Sequence, residues 1–218
     1  MTAAITVRID ELPSVLTIED SLDRTDVIWG EDNVIAEYRI DDGDPAAGFA
    51  QADRIVQATY RTGLQEHLYL ETNGMIAIPD KSGSIEVLGS LQCPYYIHRA
   101  LAQGLGVAHE QVVVKQVATG GAFGGKEDFP SVLAIHTAIL ATRIGRPVKM
   151  VYERSEDIRS TTKRHPSLIR HKTGVMDDGT IVATEIDLVL DGGAYTTLSP
   201  VVLSRSILHA AGAYRTPN

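Results

Sequence analysis

The spacing of hydrophobic and polar residues alternates along the chain between the two-residue period of strands and the longer period of helices. Short runs rich in β-branched residues predict strands at 75–79, 84–89, 111–117 and 147–152. Longer apolar runs predict a helix from Pro94 to about Gly104 and another over 128–144. The second helix is apolar nearly all round, so we expect it to be buried, with His136 as a core histidine.

The flanking segments give a second set of predicted elements. They are a short helix at 46–55, strands at 56–61 and 65–71, a helical turn at 154–159, and a hairpin of 167–175 and 181–190. In the strand 65–71 we expect Gln65, His67, Tyr69 and Glu71 to share one face. Since this strand offers too few ligands for a metal, a buried hydrogen-bond network that braces the domain is the favoured interpretation.

Strands that alternate with helices predict crossover units on a shared sheet, and therefore a mixed α/β (α+β) fold. The carboxyl ends of such strands meet at one edge, where open α/β sheets bind ligands. Gln92 follows the strand 84–89, and a glycine-rich loop follows the strand 111–117. We therefore expect Gln92 and this loop to converge on one site.

The glycine-rich loop covers residues 119–127 and reads Thr-Gly-Gly-Ala-Phe-Gly-Gly-Lys-Glu. Glycines allow positive φ and a close approach to a ligand. Successive N–H groups together with the next helix N-terminus favour electron-rich groups. A tight strand-to-helix turn is the simpler alternative, but four glycines around one aromatic residue exceed what a turn needs, so we interpret the loop as functional.

A nucleotide P-loop is a further alternative for this loop. The spacing from Gly120 to Gly125-Lys126 fits the start of G-x-x-x-x-G-K. The next residue should be Ser or Thr, which binds magnesium, but it is Glu127, whose carboxylate repels a triphosphate. The loop is therefore predicted to hold a cofactor other than a nucleoside triphosphate.

Composition narrows the possible functions. The 218 residues carry a net charge of −8, which argues against nucleic acid or an anionic membrane as a partner. No apolar run reaches the roughly 18 residues of a membrane span. The single cysteine, Cys93, excludes an internal disulfide and an iron–sulfur cluster held by this chain alone. A reducing cytoplasm fits this cysteine usage.

Four motifs resemble those of the molybdenum hydroxylases, the xanthine dehydrogenase and aldehyde oxidase family. They are residues 120–127 (Gly-Gly-Ala-Phe-Gly-Gly-Lys-Glu), 65–71 (Gln-Glu-His-Leu-Tyr-Leu-Glu), 90–92 (Ser-Leu-Gln) and 164–166 (Arg-His-Pro). They occur in the family's order and at similar spacings over nearly the whole chain, which makes the set far more specific than one glycine-rich loop.

The resemblance implies a molybdenum–molybdopterin cofactor, with or without a cytosine nucleotide. The cofactor-binding residues it implies are Gln92, Gly121, Ala122, Phe123, Gly124 and Gly125. Gln92 and Phe123 would lie near molybdenum without being side-chain ligands, and Phe123 and Gly124 would offer backbone N–H groups. Ala122 stands where Gly is common in the family, so it should fit only with a negative φ.

The resemblance also implies that Glu127 and Gln92 are the catalytic residues. Gln92 would donate from its amide to an oxygen on the metal, and Glu127 would hydrogen-bond or protonate the substrate. Glu at this place is typical of members that act on purines, which favours an N-heterocycle over an aldehyde. The simpler alternatives are a helix N-terminal acid for Glu127 and a loop-stabilising residue for Gln92.

The same resemblance predicts a chain that works as part of a larger assembly. Residues 1–45 would be the tail of a preceding domain and a linker, and 46–218 a partial molybdenum cofactor-binding domain. The general base matches nothing here, so we expect the isolated chain to be inactive. The expected partners are the rest of the molybdenum subunit and iron–sulfur (2Fe–2S) and FAD domains or subunits. Alternatives are an aldehyde oxidase-type subunit and a short non-catalytic assembly subunit.

Overall fold

A computed structural model describes residues 6–218; residues 1–5, the first part of the expected tail, lie outside the described residues. Its helices and strands are α1 (Ile18–Leu22), α2 (Pro45–Gln51), β1 (Arg54–Thr62), β2 (Gly74–Pro79), β3 (Ile85–Gly89), α3 (Pro94–Leu105), β4 (Val112–Gln116), α4 (Pro130–Ile144), β5 (Val148–Val151), α5 (Arg154–Ser160), β6 (Ser167–Val175), β7 (Ile181–Leu190) and α6 (Ser199–Leu208). The mixed α/β class is therefore confirmed. None of the helices in residues 6–218 has the length and apolar character needed to cross a membrane.

The described chain divides into two compact units. The central unit is Gly63–Arg164, and the discontinuous unit combines the residues up to Thr62 with His165–Asn218. The sequence predicted a different boundary, with a tail and linker up to residue 45 and a cofactor-binding domain from residue 46. That boundary stays a prediction.

The central unit is built on a four-stranded sheet with the order β4-β3-β2-β5. β3 and β4 pair in parallel, while β2 is antiparallel to both β3 and β5. Hence β3, β4 and β5 run in one direction, as the crossover prediction requires, and their carboxyl ends share one edge with the start of β2. We call this the loop edge.

Helices α3 and α4 cover one face of this sheet and form its core. Each begins with a proline and ends at a left-handed glycine, Gly106 or Gly145, which stops the helix. The buried side chains that they enclose with the sheet include Met75, Ala77, Ile85, Val87, Leu91, Ile97, Leu101, Leu133 and Ala138.

The expected burial of α4 on all sides was wrong. The helix packs through one face only, against β2, α3 and β5. Val132, His136 and Leu140 recur every four residues and therefore lie together on the opposite, exposed face. His136 is thus a surface residue and not a core histidine.

The predicted strand 65–71 is also absent. Leu68 adopts φ +51°, which interrupts the alternation of side chains that a strand requires. The carbonyls of Tyr69 and Leu70 accept hydrogen bonds from Arg154 at 2.8 and 2.7 Å instead of joining a strand ladder. Gln65 and Glu71 are exposed while Tyr69 is buried, so these side chains do not share one face.

The discontinuous unit is a three-stranded antiparallel sheet with β6 in the middle, between β1 and β7. The predicted hairpin 167–175/181–190 matches β6 and β7. Helix α2 packs on β7 and β6, capped by the Asp44 carboxylate, which accepts from the Ala47 N–H at 3.0 Å.

Candidate functional site at the loop edge

The candidate functional residues identified from the sequence lie together at the loop edge. β3 leads into Ser90 and Gln92, β4 leads into the glycine loop 119–127, β5 leads toward Arg154, and Glu71 precedes β2. Sequence-distant side chains meet here because the three codirectional strands end, and β2 begins, at the same edge.

Gln92 is fixed to the glycine loop by three hydrogen bonds. Its Oε1 accepts from the N–H groups of Gly124 and Lys126, both at 3.1 Å, and its own N–H donates to the Lys126 carbonyl at 2.8 Å. Because two donors occupy Oε1, the amide orientation is determined. The side-chain N–H₂ donates to no group within residues 6–218, so it is available to a ligand.

The glycine loop itself leaves part of its backbone available. Within residues 6–218, no acceptor receives the N–H groups of Gly121, Ala122 or Phe123. By contrast, Gly124 donates to Gln92, and Gly125 donates to the Ala122 carbonyl at 2.8 Å. The expectation that Gly124 offers a free N–H was therefore wrong, because the loop uses that group to hold Gln92.

The conformation of the loop explains its composition. Gly121 takes φ +92°, and Phe123, 75% exposed, takes the unusual φ +52°. A side chain on Gly125 would place Cβ 2.7 Å from Cε1 of Tyr69. Ala122 is not among the positive-φ residues, which meets the condition that the sequence set for it.

Glu127 is the last residue of the loop and is partly buried. Among the described residues, no N–H or O–H donates to its carboxylate. Glu127 adjoins Lys126 in the chain, and both the backbone N–H and the carbonyl of Lys126 bond to Gln92. Gln92 and Glu127 thus lie in one neighbourhood.

A partly buried polar cluster supports the loop. Tyr69 and Glu71 were expected in a hydrogen-bond network that braces the domain, whereas Lys126 and Ser90 were not assigned to it. Lys126 is completely buried, and its Nζ donates to Ser90 Oγ at 2.9 Å and to Glu71 Oε2 at 3.2 Å. Glu71 Oε2 also accepts from Ser90 Oγ and from the Gly120 N–H, both at 2.7 Å. Burial raises the pKa of Glu71, but these bonds outweigh it and the pKa lies below its usual value.

Tyr69 joins that cluster to a second one. Its ring centroid lies 4.7 Å from Lys126 Nζ, and its hydroxyl donates to Asp157 Oδ1 at 2.6 Å. Asn73 donates to the same buried carboxylate through its backbone N–H and its amide. Burial, followed by the bond to Asp157, raises the pKa of Tyr69, so the phenol stays protonated.

The residues present fit a cofactor better than a directly bound metal. In residues 6–218 no three His, Cys, Asp or Glu side chains come together as a ligand set. Three free N–H groups and one free amide suit oxygen or nitrogen acceptors on an organic group.

The residues of the Arg164-His165-Pro166 motif form their hydrogen bonds with residues other than Gln92 and the glycine loop. Arg164 donates to the Gly63 carbonyl at 2.7 Å and to Gln65 Oε1 at 2.6 Å, within the central unit. In the discontinuous unit, His165 Nε2 lies 2.8 Å from Ser199 Oγ. Burial lowers the pKa of His165, opposed by the charge of Asp191.

The discontinuous unit also contains a cavity of about 440 Å³, lined by residues from 15–37, the end of β7 and the start of α6. None of the site residues expected from the sequence lines it.

Comparison with known proteins agrees with this geometry. Residues 29–218 match the family model of the molybdopterin cofactor-binding domain. The chain is 36% identical over 215 residues to xanthine dehydrogenase/oxidase of Rattus norvegicus, covering 98% of this chain and 16% of that protein. It is 34% identical over 216 residues to the nicotinate dehydrogenase large molybdopterin subunit of Eubacterium barkeri, covering 99% of this chain and 50% of that one.

Among solved structures, the aldehyde oxidoreductase of Desulfovibrio gigas superposes with a TM-score of 0.73 at 26% identity, over 81% of this chain and 19% of that one. The chain thus spans at most about half the length of these relatives. Since the family model covers most of the sequence, the chain belongs to the molybdopterin cofactor-binding domain family of the molybdenum hydroxylases.

Proposed function

We propose that this chain is part of the molybdopterin-binding subunit of a xanthine dehydrogenase-like oxidoreductase. The observation that carries the proposal is the pairing of the oriented Gln92 N–H₂ with three consecutive N–H groups of the glycine loop, all without a partner in the described part of the chain. When bound, the cofactor supplies the hydroxylation of an electron-poor carbon and passes the electrons on.

The proposed role of this chain's own residues is to hold and orient the cofactor. We assign cofactor contact to Gln92 and to the loop residues Gly121, Ala122, Phe123, Gly124 and Gly125. The N–H groups of 121–123 would donate to the cofactor, and the exposed ring of Phe123 would form a wall of its site. Gly124 and Gly125 contribute close backbone approach and not a donor.

Glu127 is the proposed substrate-binding acid. Its side chain has no partner within residues 6–218: as a carboxylate it can accept from a ring N–H, and as the protonated acid it can donate its proton to a ring nitrogen. Two relatives whose names state their substrates, xanthine and nicotinate, act on N-heterocycles, which supports that substrate class. An aldehyde is the alternative, because a solved structural relative is an aldehyde oxidoreductase.

The proposed protein partners follow from membership of the molybdenum hydroxylase family. A relative described as a large molybdopterin subunit belongs to an enzyme of several subunits, so we propose that the rest of the molybdenum subunit and iron–sulfur and FAD partners complete this enzyme. The free thiol of Cys93 supports assembly in a reducing compartment such as the cytoplasm.

The test is steady-state kinetics of the assembled enzyme with a purine and with an aldehyde. We expect Glu127→Gln to lower kcat/KM for the purine on the order of 10²-fold or more and to affect the aldehyde less. Gln92→Ala should lower kcat for both. Asp128→Asn, a change of the neighbouring acid, is the matched control. Equal turnover by wild type, Glu127→Gln and Gln92→Ala would instead identify a non-catalytic assembly subunit.

A further inference from the structure

We propose that Lys126, Glu71 and Ser90 are positioning residues that set the geometry of the glycine loop and of Gln92; we call them the loop clamp. The inference rests on the proposed function, because it names what holds that site in its working shape. None of the three is assigned a contact with cofactor or substrate.

The first argument is that the clamp joins both ends of the loop. Glu71 Oε2 receives the Gly120 N–H at the start of the loop and Lys126 Nζ at its end, at 2.7 and 3.2 Å. The Glu71 N–H also donates to the Gly120 carbonyl at 3.1 Å. One side chain therefore fixes the span between the two ends.

The second argument is that Lys126 is the point where clamp and site meet. Its backbone N–H and carbonyl both bond to Gln92, while its side chain is held by Ser90 and Glu71. Movement of Lys126 would displace the Gln92 amide, and the carboxylate of Glu127 next along the chain.

The third argument concerns the cost of the arrangement. An ammonium group with no solvent exposure is expensive unless it is paired and hydrogen-bonded. Lys126 has the carboxylate of Glu71, the hydroxyl of Ser90 and the face of Tyr69 as partners.

The experiment measures hydrogen–deuterium exchange of the intact protein without cofactor or substrate. The loop readouts are the amides of Gly124, which bonds to Gln92, and of Gly125, which bonds to the Ala122 carbonyl; neither residue belongs to the clamp. The strand amides of Ala77 and Val87 are the core reference. The main variant is the charge-neutral pair Glu71→Gln with Lys126→Met, because removing both partners of an ion pair spares the fold more than removing one.

We expect exchange of the loop amides to rise about tenfold in this double variant, with little change in the core amides. Ser90→Ala, which keeps both charges, should raise loop exchange by a smaller factor and covers the case in which the double variant fails to fold. Lys115→Met is the control, since Lys115 pairs with Glu86 at 2.7 Å on the surface of the same sheet.

Loop and core amides that speed up together would show a merely structural role and would overturn the proposal, as would loop exchange unchanged in the folded variants. Because this readout needs no turnover, failure of the clamp is distinguishable from failure of the proposed function, which the Glu127→Gln kinetics test. In the loaded enzyme we expect the double variant to lower kcat on the order of 10²-fold, with KM changed much less.

Discussion

The two units of this chain use charged residues in opposite ways. In the central unit, Lys126 and Asp157 have no solvent exposure and each bonds to several partners. In the discontinuous unit, the pairs Arg54–Asp177 and Arg170–Asp187 lie on the surface, with every side chain more than half exposed. The comparison teaches that a loop too rich in glycine to hold its own shape needs buried polar anchors, whereas a regular hairpin does not.

The largest expected effect comes from removing a buried anchor. Asp157→Ala leaves the Tyr69 hydroxyl and two Asn73 donors without their acceptor, so we expect a loss of about 3 kcal/mol in the free energy of unfolding. Asp187→Ala, which breaks an exposed pair, should cost less than about 1 kcal/mol. Urea unfolding of both variants measures this, and equal losses would remove the contrast between the units.

The next effect concerns packing beneath the loop. In Gly125→Ala, the new Cβ would lie 2.7 Å from Tyr69 Cε1 and 2.9 Å from His67 Cγ, so the loop must move. We expect a loss of about 1–3 kcal/mol by urea unfolding. Gly63→Ala is the matched control, because its Cβ meets no atom within 4 Å. A tolerated Gly125→Ala would mean that the loop is freer than the clamp allows.

A smaller effect should appear in acid. The folded-state pKa of Glu71 is below its usual value of 4.5, so its ionised form stabilises the folded state. That stabilisation is complete above pH 4.5 and is lost as the pH falls through the lower folded-state pKa. We expect Glu71→Gln to flatten the decline of stability between neutral pH and acid, measured as urea midpoints against pH. An unchanged profile would argue against the charge of Glu71 in the clamp.

The smallest effect belongs to the discontinuous unit. Lys172 Nζ lies 4.0 Å from the centroid of the Phe49 ring, joining β6 to α2. Lys172→Ala should cost about 0.5–1 kcal/mol in thermal or urea unfolding, while Lys172→Arg retains most of that contact. Lys149→Ala, on an exposed position of β5, serves as the reference and should leave stability unchanged.

Most of the fold was predictable because local signals were strong. Pro94 and Gly106 delimit α3, and the turn 177–180 defines the β6–β7 hairpin, each through the backbone preferences of a few residues. The failures have a common cause. The strand 65–71 and the burial of His136 were inferred from local alternation or apolarity, but the neighbours of those residues decided their conformation and exposure.

The site was predictable in part. The motifs at 90–92 and 120–127 pointed to Gln92 and the glycine loop, and the strand order brought them together as expected. Lys126 was considered only as part of the loop motifs. Glu71 was expected in a hydrogen-bond network, but not together with Lys126. Nothing local in the sequence indicates that a fully buried lysine forms an ion pair with a residue 55 positions away.

The sequence by itself determined the chemistry that is available at this edge, because glycine, amide and carboxylate groups have fixed conformational freedom and hydrogen-bonding capacity. Only the tertiary structure decided which of those groups remain free. Gly124 donates to Gln92 Oε1, and Glu71 accepts from Gly120, Ser90 and Lys126. Within residues 6–218, the Gln92 N–H₂ and the N–H groups of 121–123 are left without a partner. The reason is that partners in a hydrogen bond are chosen by distance in space, and distance in space is set by the sheet.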